Sequence, residues 1–128
     1  MVVGSLNTDF LLTLDTFPAS GESVLGKTFE QAPGGKGLNQ AVGASRLGAQ
    51  VAMIGAVGGD QFGHGLIQTL TDEGIKSLVS QVPDISTGMA IIEVESSGEN
   101  RIIVVSGANN SLSENAVETS LREIAREY

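Results

Sequence analysis

Two short stretches carry most of the chemistry open to this chain. The first, Asn7-Thr8-Asp9, sets an amide two residues from a carboxylate. If the backbone there stays extended, both side chains lie on one side. A carboxylate accepts hydrogen bonds and an amide both donates and accepts, which suits the hydroxyls of a polyol. The same residue types also form turns that satisfy their own backbone, and that reading stays open. The second stretch, Pro33-Gly34-Gly35-Lys36-Gly37, runs straight into helix-like sequence, with Asn39 one turn in. Glycines at a helix entrance let backbone approach a bound molecule, because no Cβ intervenes. The amide hydrogens of a helix start also point outward without partners. The stretch reads as a ligand site, with a plain turn as the alternative.

Neither familiar phosphate pattern fits these glycines. A Walker loop needs Gly, four residues, then Gly-Lys followed by Ser or Thr; here Gly37 follows Lys36 and Glu30 stands where the first glycine belongs. The dinucleotide pattern fails too, since the glycines do not follow the first strand at G-x-G-x-x-G spacing. Three other candidates have plainer explanations. Asp60, in Gly58-Gly59-Asp60-Gln61-Phe62-Gly63, is at least as well read as a helix cap as a site residue. His64 in the next turn reads as a solvated bystander. Glu93 and Glu95 read as the wet face of a strand rather than an acid–base pair.

Composition narrows the classes. The 128 residues suit one domain, and 41% are apolar, enough for a core. Seven Lys and Arg against fifteen Asp and Glu give a net charge of −8, ill suited to nucleic acid. There is no Cys and one His, so neither a thiolate site nor a histidine-rich metal site can be built within the chain. No apolar run reaches the length of a membrane span. No basic segment followed by an apolar one marks a secretory signal, so a cytoplasmic protein is expected.

The elements that must position these residues follow from periodicity. Met1 to Gly4 and Phe10 to Leu14 read as strands, with Asn7 and Asp9 after the first, at the carboxyl end where open α/β sheets bind ligands. Glu22 to Gln31 looks like a partly exposed strand. Leu38 to Leu47 is small or apolar nearly all round and predicts a buried helix ended by Gly48. The unbroken apolar run Val51–Val57 predicts a strand covered on both faces. Leu66, Ile67 and Leu70 predict a helix over 63–73 that stops at Gly74. This order implies βαβ units and a parallel sheet. Residues 87–95 and 101–106 then predict an antiparallel hairpin. With the 22–31 strand, the hairpin could make a second, smaller sheet. Ser113 can cap a last helix carrying Val117, Leu121, Ile124 and Tyr128 on one face.

Taken together, these segments resemble the ribokinase (PfkB-type) sugar kinases. The resemblance rests on Gly4-Ser5-Leu6-Asn7-Thr8-Asp9, Gly34-Gly35-Lys36-Gly37-Leu38-Asn39-Gln40-Ala41, Arg46-Leu47-Gly48-Ala49 and Gly58-Gly59-Asp60-Gln61-Phe62-Gly63. Thr87-Gly88, Gly98-Glu99-Asn100 and Gly107-Ala108-Asn109 extend it across nearly the whole chain, and the N-x-D pair with the G-G-K-G-x-N-Q-A block inclines it toward ribose. It implies a three-layer α/β fold, a parallel sheet between helices, with a small β lid near 22–31 and 87–106. It also implies a furanose site drawn from Asn7, Thr8, Asp9, Gly34, Gly35, Lys36, Gly37 and Asn39. Asn7 and Asp9 would bond sugar hydroxyls, while the glycines make room for the sugar. ATP and Mg2+ are the implied cofactors of the complete enzyme, with a monovalent cation as an optional third. The lid sheets of two subunits would pack as a homodimer through residues such as Ile91, Ile103, Val104 and Val105, whose exposure on an uncovered sheet favours pairing.

One departure is large. Members of that family run to about twice this length or more, and no Gly-Ala-Gly-Asp segment, which would supply the general base and anion hole, occurs here. No catalytic residue is therefore assigned. Residues 1–128 are expected to be the N-terminal, sugar-binding and lid portion of a kinase, inactive alone, with Val51–Val57 poorly covered. The alternative is a short non-catalytic protein that binds a sugar or pairs through its lid.

Overall fold

A computed structural model describes residues 1–127, and Tyr128, expected on the apolar face of the last helix, lies outside the described residues. The chain runs β1 (Val2–Val3), β2 (Asn7–Leu14), β3 (Gly26–Gly34), α1 (Lys36–Arg46), β4 (Ala52–Gly58), α2 (Gln61–Asp72), β5 (Lys76–Val82), β6 (Gly88–Glu95) and β7 (Asn100–Val105). A 3-10 turn (Gly107–Ser111) and α3 (Glu114–Glu127) follow. The expected α/β architecture is present, divided between two sheets.

The first sheet is parallel, in the order β1-β4-β5. Strand β5 was not expected from the sequence, although Leu78 and Val82 carry its apolar signal. Strand β4 is buried on both faces: Met53, Ile54, Ala56 and Val57 are at most 1% exposed. That overturns the expectation of a poorly covered strand. Leu38 and Ala41 of α1 and Leu66 and Leu70 of α2 join Met53 and Val57 in one core, and the 3-10 turn also packs against β4. Helix α1 is not buried all round. It buries Gly37, Leu38 and Ala41 and exposes Asn39, Gln40, Gly43 and Arg46, because α2 and the sheet cover only one side. Gly48 and Gly74 take left-handed φ of 92° and 68° just past α1 and α2, the conformation a helix-ending glycine supplies.

The second sheet is mixed, in the order β3-β2-β6-β7. Strand β2 pairs parallel with β6, while β3 and β7 run antiparallel on the flanks. Residues 7–14 thus form one continuous strand at the middle of this sheet, not a polar connection followed by a strand. Strand β3 begins and ends later than the expected 22–31, because Pro33 pairs with Thr8 and Gly34 with Asn7. Pro33 is tolerated since β3 is an edge strand, where a missing N–H breaks no inner ladder. The hairpin is as expected, with Ile91 opposite Ile103. Ser113 caps α3 as expected, its Oγ accepting from Ala116 N–H at 3.1 Å. That helix buries no residue.

The chain passes between the sheets three times, after β1, β3 and β5, and a fourth segment, at 106–107, leaves β7 for the 3-10 turn against β4. These crossings meet in space. Leu38 N–H donates to Ser5 O at 3.1 Å, and Ala108 N–H donates to Ser86 O at 2.8 Å. No described helix is long and apolar enough to cross a membrane.

Candidate functional site

The polar residues singled out in the sequence converge on this four-way crossing. Because Asn7 and Asp9 are alternate residues of a strand, both side chains occupy one face of the second sheet. The neighbouring strands supply glycine beside Asn7 on both sides, Gly34 from β3 and Gly88 from β6. Each absent side chain is needed. A Cβ on Gly34 would lie 2.2 Å from Asp9 Oδ2, and one on Gly88 would lie 2.4 Å from Asn7 Oδ1.

Asp9 is half-buried, and its carboxylate has no hydrogen bond or ion pair among the described residues. Burial pushes its carboxyl pKa above the ordinary carboxylate value. A partly desolvated acceptor without a protein partner is open to hydrogen bonds from a ligand or from water. Asn7 differs, because its Oδ1 accepts from Asn109 Nδ2 at 2.8 Å. Its Nδ2 has no partner among the described residues. The face therefore presents a free donor beside a free acceptor, complementary to two hydroxyls of one molecule.

The glycine block packs closely against the chain's own backbone. Gly35, at φ 97°, caps α1 without a side-chain bond, and a Cβ there would lie 2.7 Å from Ser5 O. A Cβ on Gly37 would lie 2.7 Å from Gly4 C and 2.8 Å from Ser5 N. The space a Cβ would take at these glycines is held by the chain itself. At Gly35 and Gly37 it holds the Gly4–Asn7 crossing, and at Gly34 it holds the Asp9 carboxylate. These glycines bring the helix start onto β2 and so set where Asn7 and Asp9 stand.

Not every expected residue reaches this face. Thr8 alternates to the opposite side, where it is 4% exposed and borders a small cavity with Phe62 and Leu66 of α2. Its side chain is thus turned away from those of Asn7 and Asp9. Lys36 is exposed on the first turn of α1. Asn39 is exposed one turn further, beside a groove between α1 and α2 that Arg46 and Glu73 close. Of the expected pairing residues, Ile103, Val104 and Val105 are exposed on β7. Ile91 is half-buried instead, because it sits on an inner strand between Phe10 and Ile103.

Asp60 is the cap that the sequence suggested, and more. Its Oδ1 accepts from Gly63 N–H at 2.9 Å and from the Thr87 hydroxyl at 2.6 Å, and its Oδ2 accepts from Thr87 N–H at 2.9 Å. The Thr87 hydroxyl in turn accepts from Gly58 N–H at 2.9 Å. Burial pushes the Asp60 carboxyl up, but the bonds from Thr87 and Gly63 outweigh it and hold the pKa below the ordinary value. The end of β4, the start of α2 and the start of β6 are thereby locked together. Neither this partner of Asp60 nor the role of Asn109 was legible from spacing, since both contacts span long stretches of chain. His64 is exposed, Glu93 pairs with Arg101 at 2.6 Å, and Glu95 accepts from Phe17 N–H at 2.9 Å, none of them near Asp9 in register.

Comparison with known proteins identifies the family. The chain is 43% identical over 126 residues to the ribokinase of Haemophilus influenzae, covering 98% of this chain and 41% of that protein. The structure of the ribokinase from Giardia lamblia matches with a TM-score of 0.85 at 35% identity, over 91% of this chain and 38% of that one. The Arabidopsis thaliana ribokinase, solved with ribose and ATP, matches with a TM-score of 0.75 at 32% identity, over 91% of this chain and 40% of that one. The chain thus spans about two fifths of the proteins it resembles. The model of the pfkB family carbohydrate kinases matches residues 1–127, and the chain belongs to that family.

Proposed function

We propose that this chain forms the sugar-binding and lid portion of an ATP-dependent kinase for a furanose sugar, ribose first, giving ribose 5-phosphate. One observation carries the reading. Asp9, half-buried and unpaired, stands beside the free Nδ2 of Asn7 on one sheet face, and sites built to bond hydroxyls reject ligands lacking them. The ribokinase relatives support ribose as the sugar. Asn7 and Asp9 bind and orient the acceptor, Gly34 and Gly88 leave their side chains room, and the second sheet closes over the sugar and excludes water.

The described residues do not fit a nucleotide–magnesium complex. No group of three His, Cys, Asp or Glu among them could hold a metal ion, and the glycine faces at the start of α1 are filled by the chain's own atoms. No step through ATP, Mg2+ or a monovalent cation is assigned to these residues, and phosphoryl transfer needs charge stabilisation and a positioned nucleophile besides. The rest of a full-length kinase supplies both in this reading, which sets the protein in the cytoplasm. Pairing of two lids through β7 belongs to the same proposal.

The test transplants residues 1–127 in place of the matching part of the Haemophilus influenzae ribokinase. The chimera should phosphorylate ribose, its Asp9→Ala variant should lose that activity, and the isolated chain should show none. Full activity in the Asp9→Ala chimera would remove Asp9 from the sugar site. Turnover by the isolated chain would overturn the division of labour.

A further inference from the structure

The orientation of Asn109 is dictated by backbone. Its Oδ1 accepts from Leu6 N–H at 3.0 Å, while its Nδ2 faces Leu6 O at 3.1 Å, Ser106 O at 3.0 Å and Asn7 Oδ1 at 2.8 Å. A backbone N–H can only donate and a carbonyl can only accept, so the opposite rotamer of this amide would set like against like at three contacts. With Nδ2 fixed toward Asn7, that residue must offer its oxygen, and its own Nδ2 must point away. The 3-10 turn that carries Asn109 is held in place by Ala108 N–H on Ser86 O at 2.8 Å and Asn109 N–H on Ser106 O at 3.1 Å. Gly88 leaves the gap through which the two amides meet, since a Cβ there would lie 2.2 Å from Asn109 Nδ2.

We propose that Asn109 is a positioning residue that sets the polarity of the sugar site, holding Asn7 as a hydrogen-bond donor beside the acceptor Asp9. An amide free to rotate could offer either atom to a ligand. Two acceptors side by side would leave the ligand's own acceptors unmet, whereas one donor and one acceptor read a pair of hydroxyls in a fixed sense. The proposal rests on the sugar-binding reading above, but its first half concerns Asn7 alone and can be measured without ligand.

Two variants of the full chain, Asn109→Ala and Asn109→Asp, test it. The alanine variant removes the lock. The aspartate variant keeps the shape and the acceptor for Leu6 N–H but cannot donate, so Asn7 should turn its Nδ2 inward. The first readout is the order parameter of the Asn7 side-chain amide by NMR in the ligand-free protein. In Asn109→Ala it should fall to the flexible range, below about 0.6, while backbone values hold. The second is the affinity for D-ribose, which should weaken roughly tenfold in both variants, the effect of one oriented hydrogen bond lost. An unchanged Asn7 amide in a folded Asn109→Ala, or unchanged ribose affinity in a folded Asn109→Asp, overturns the proposal. Loss of the fold in both variants also overturns it, by assigning Asn109 to stability alone. If the wild-type chain binds no ribose, the sugar reading fails, and the positioning claim is decided by the ligand-free amide order.

Discussion

Partial burial disfavours the charged form of Asp9, and this gives it a signature in stability as well as in binding. Its folded-state pKa is raised by burial. The resulting penalty is absent below the unfolded carboxylate pKa and complete above the folded one. Asp9→Asn should therefore melt higher than the wild type at pH 7, with the gain shrinking to nothing below about pH 4. A thermal melt series across pH checks this, and a variant less stable at pH 7 would show that the carboxylate has a partner after all. The glycines separate in the same way. Gly34→Ala meets the end of a side chain, Asp9 Oδ2, so it should displace Asp9 and cost sugar binding more than stability. Gly35→Ala combines a φ of 97° with backbone at 2.7 Å, so it should cost stability first. Urea unfolding beside ribose titration of both variants tells the two roles apart. The pairing of Asn7 with Asp9 was readable from their spacing. Which atoms press on the glycines was not, because a short-range pattern does not report contacts with distant backbone such as Ser5 O beside Gly35.

The ends of several strands meet the start of α1 at the crossing, and the Asp60–Thr87 lock decides how firmly β6 is tied to β4 and α2. Thr87 is 1% exposed and its hydroxyl both donates to Asp60 and accepts from Gly58. Thr87→Val keeps the shape and leaves Gly58 N–H unsatisfied, a loss of about 1–3 kcal/mol measurable by denaturant unfolding at pH 7. The Asp60 pKa is lowered in the folded chain, so its contribution is present above the unfolded carboxylate pKa and lost as pH falls through the folded one. The difference between wild type and Asp60→Asn should accordingly narrow in acid, and a difference that widened there would contradict the lock. At this scale the sequence was legible where periodicity spoke, as in β4, α2 and the 87–106 hairpin. It was silent on strand β5, whose alternation is weak. It also misled over residues 7–14, whose polar start looked like a connection because the open face of an inner strand carries the ligand groups.

At the scale of the whole chain, no strand among the described residues pairs with the outer edge of β7. Ile102, Ile103, Val104 and Val105 are each between 43% and 59% exposed, alternating over both faces of the sheet. Such an edge invites a second strand. Light scattering should give a mass that rises toward twice that of one chain with concentration, and Val104→Lys should hold it at one; a wild-type chain that stays single at high concentration would remove the proposed pairing. Composition argued against a nucleic-acid binder and element order pointed to an α/β chain, but the division into two sheets depends on pairing between residues far apart, such as Asn7 with Gly88, which no local pattern reports. The central claim is that sugar binds on the Asn7–Asp9 face at the crossing of the two sheets. Its most direct test is a titration of the 15N-labelled chain with D-ribose, followed residue by residue. Shifts should concentrate at Asn7, Asp9, Gly34 and Gly88 and vanish in Asp9→Ala. Ribose shifts that cluster elsewhere, or that persist unchanged in Asp9→Ala, would contradict the account.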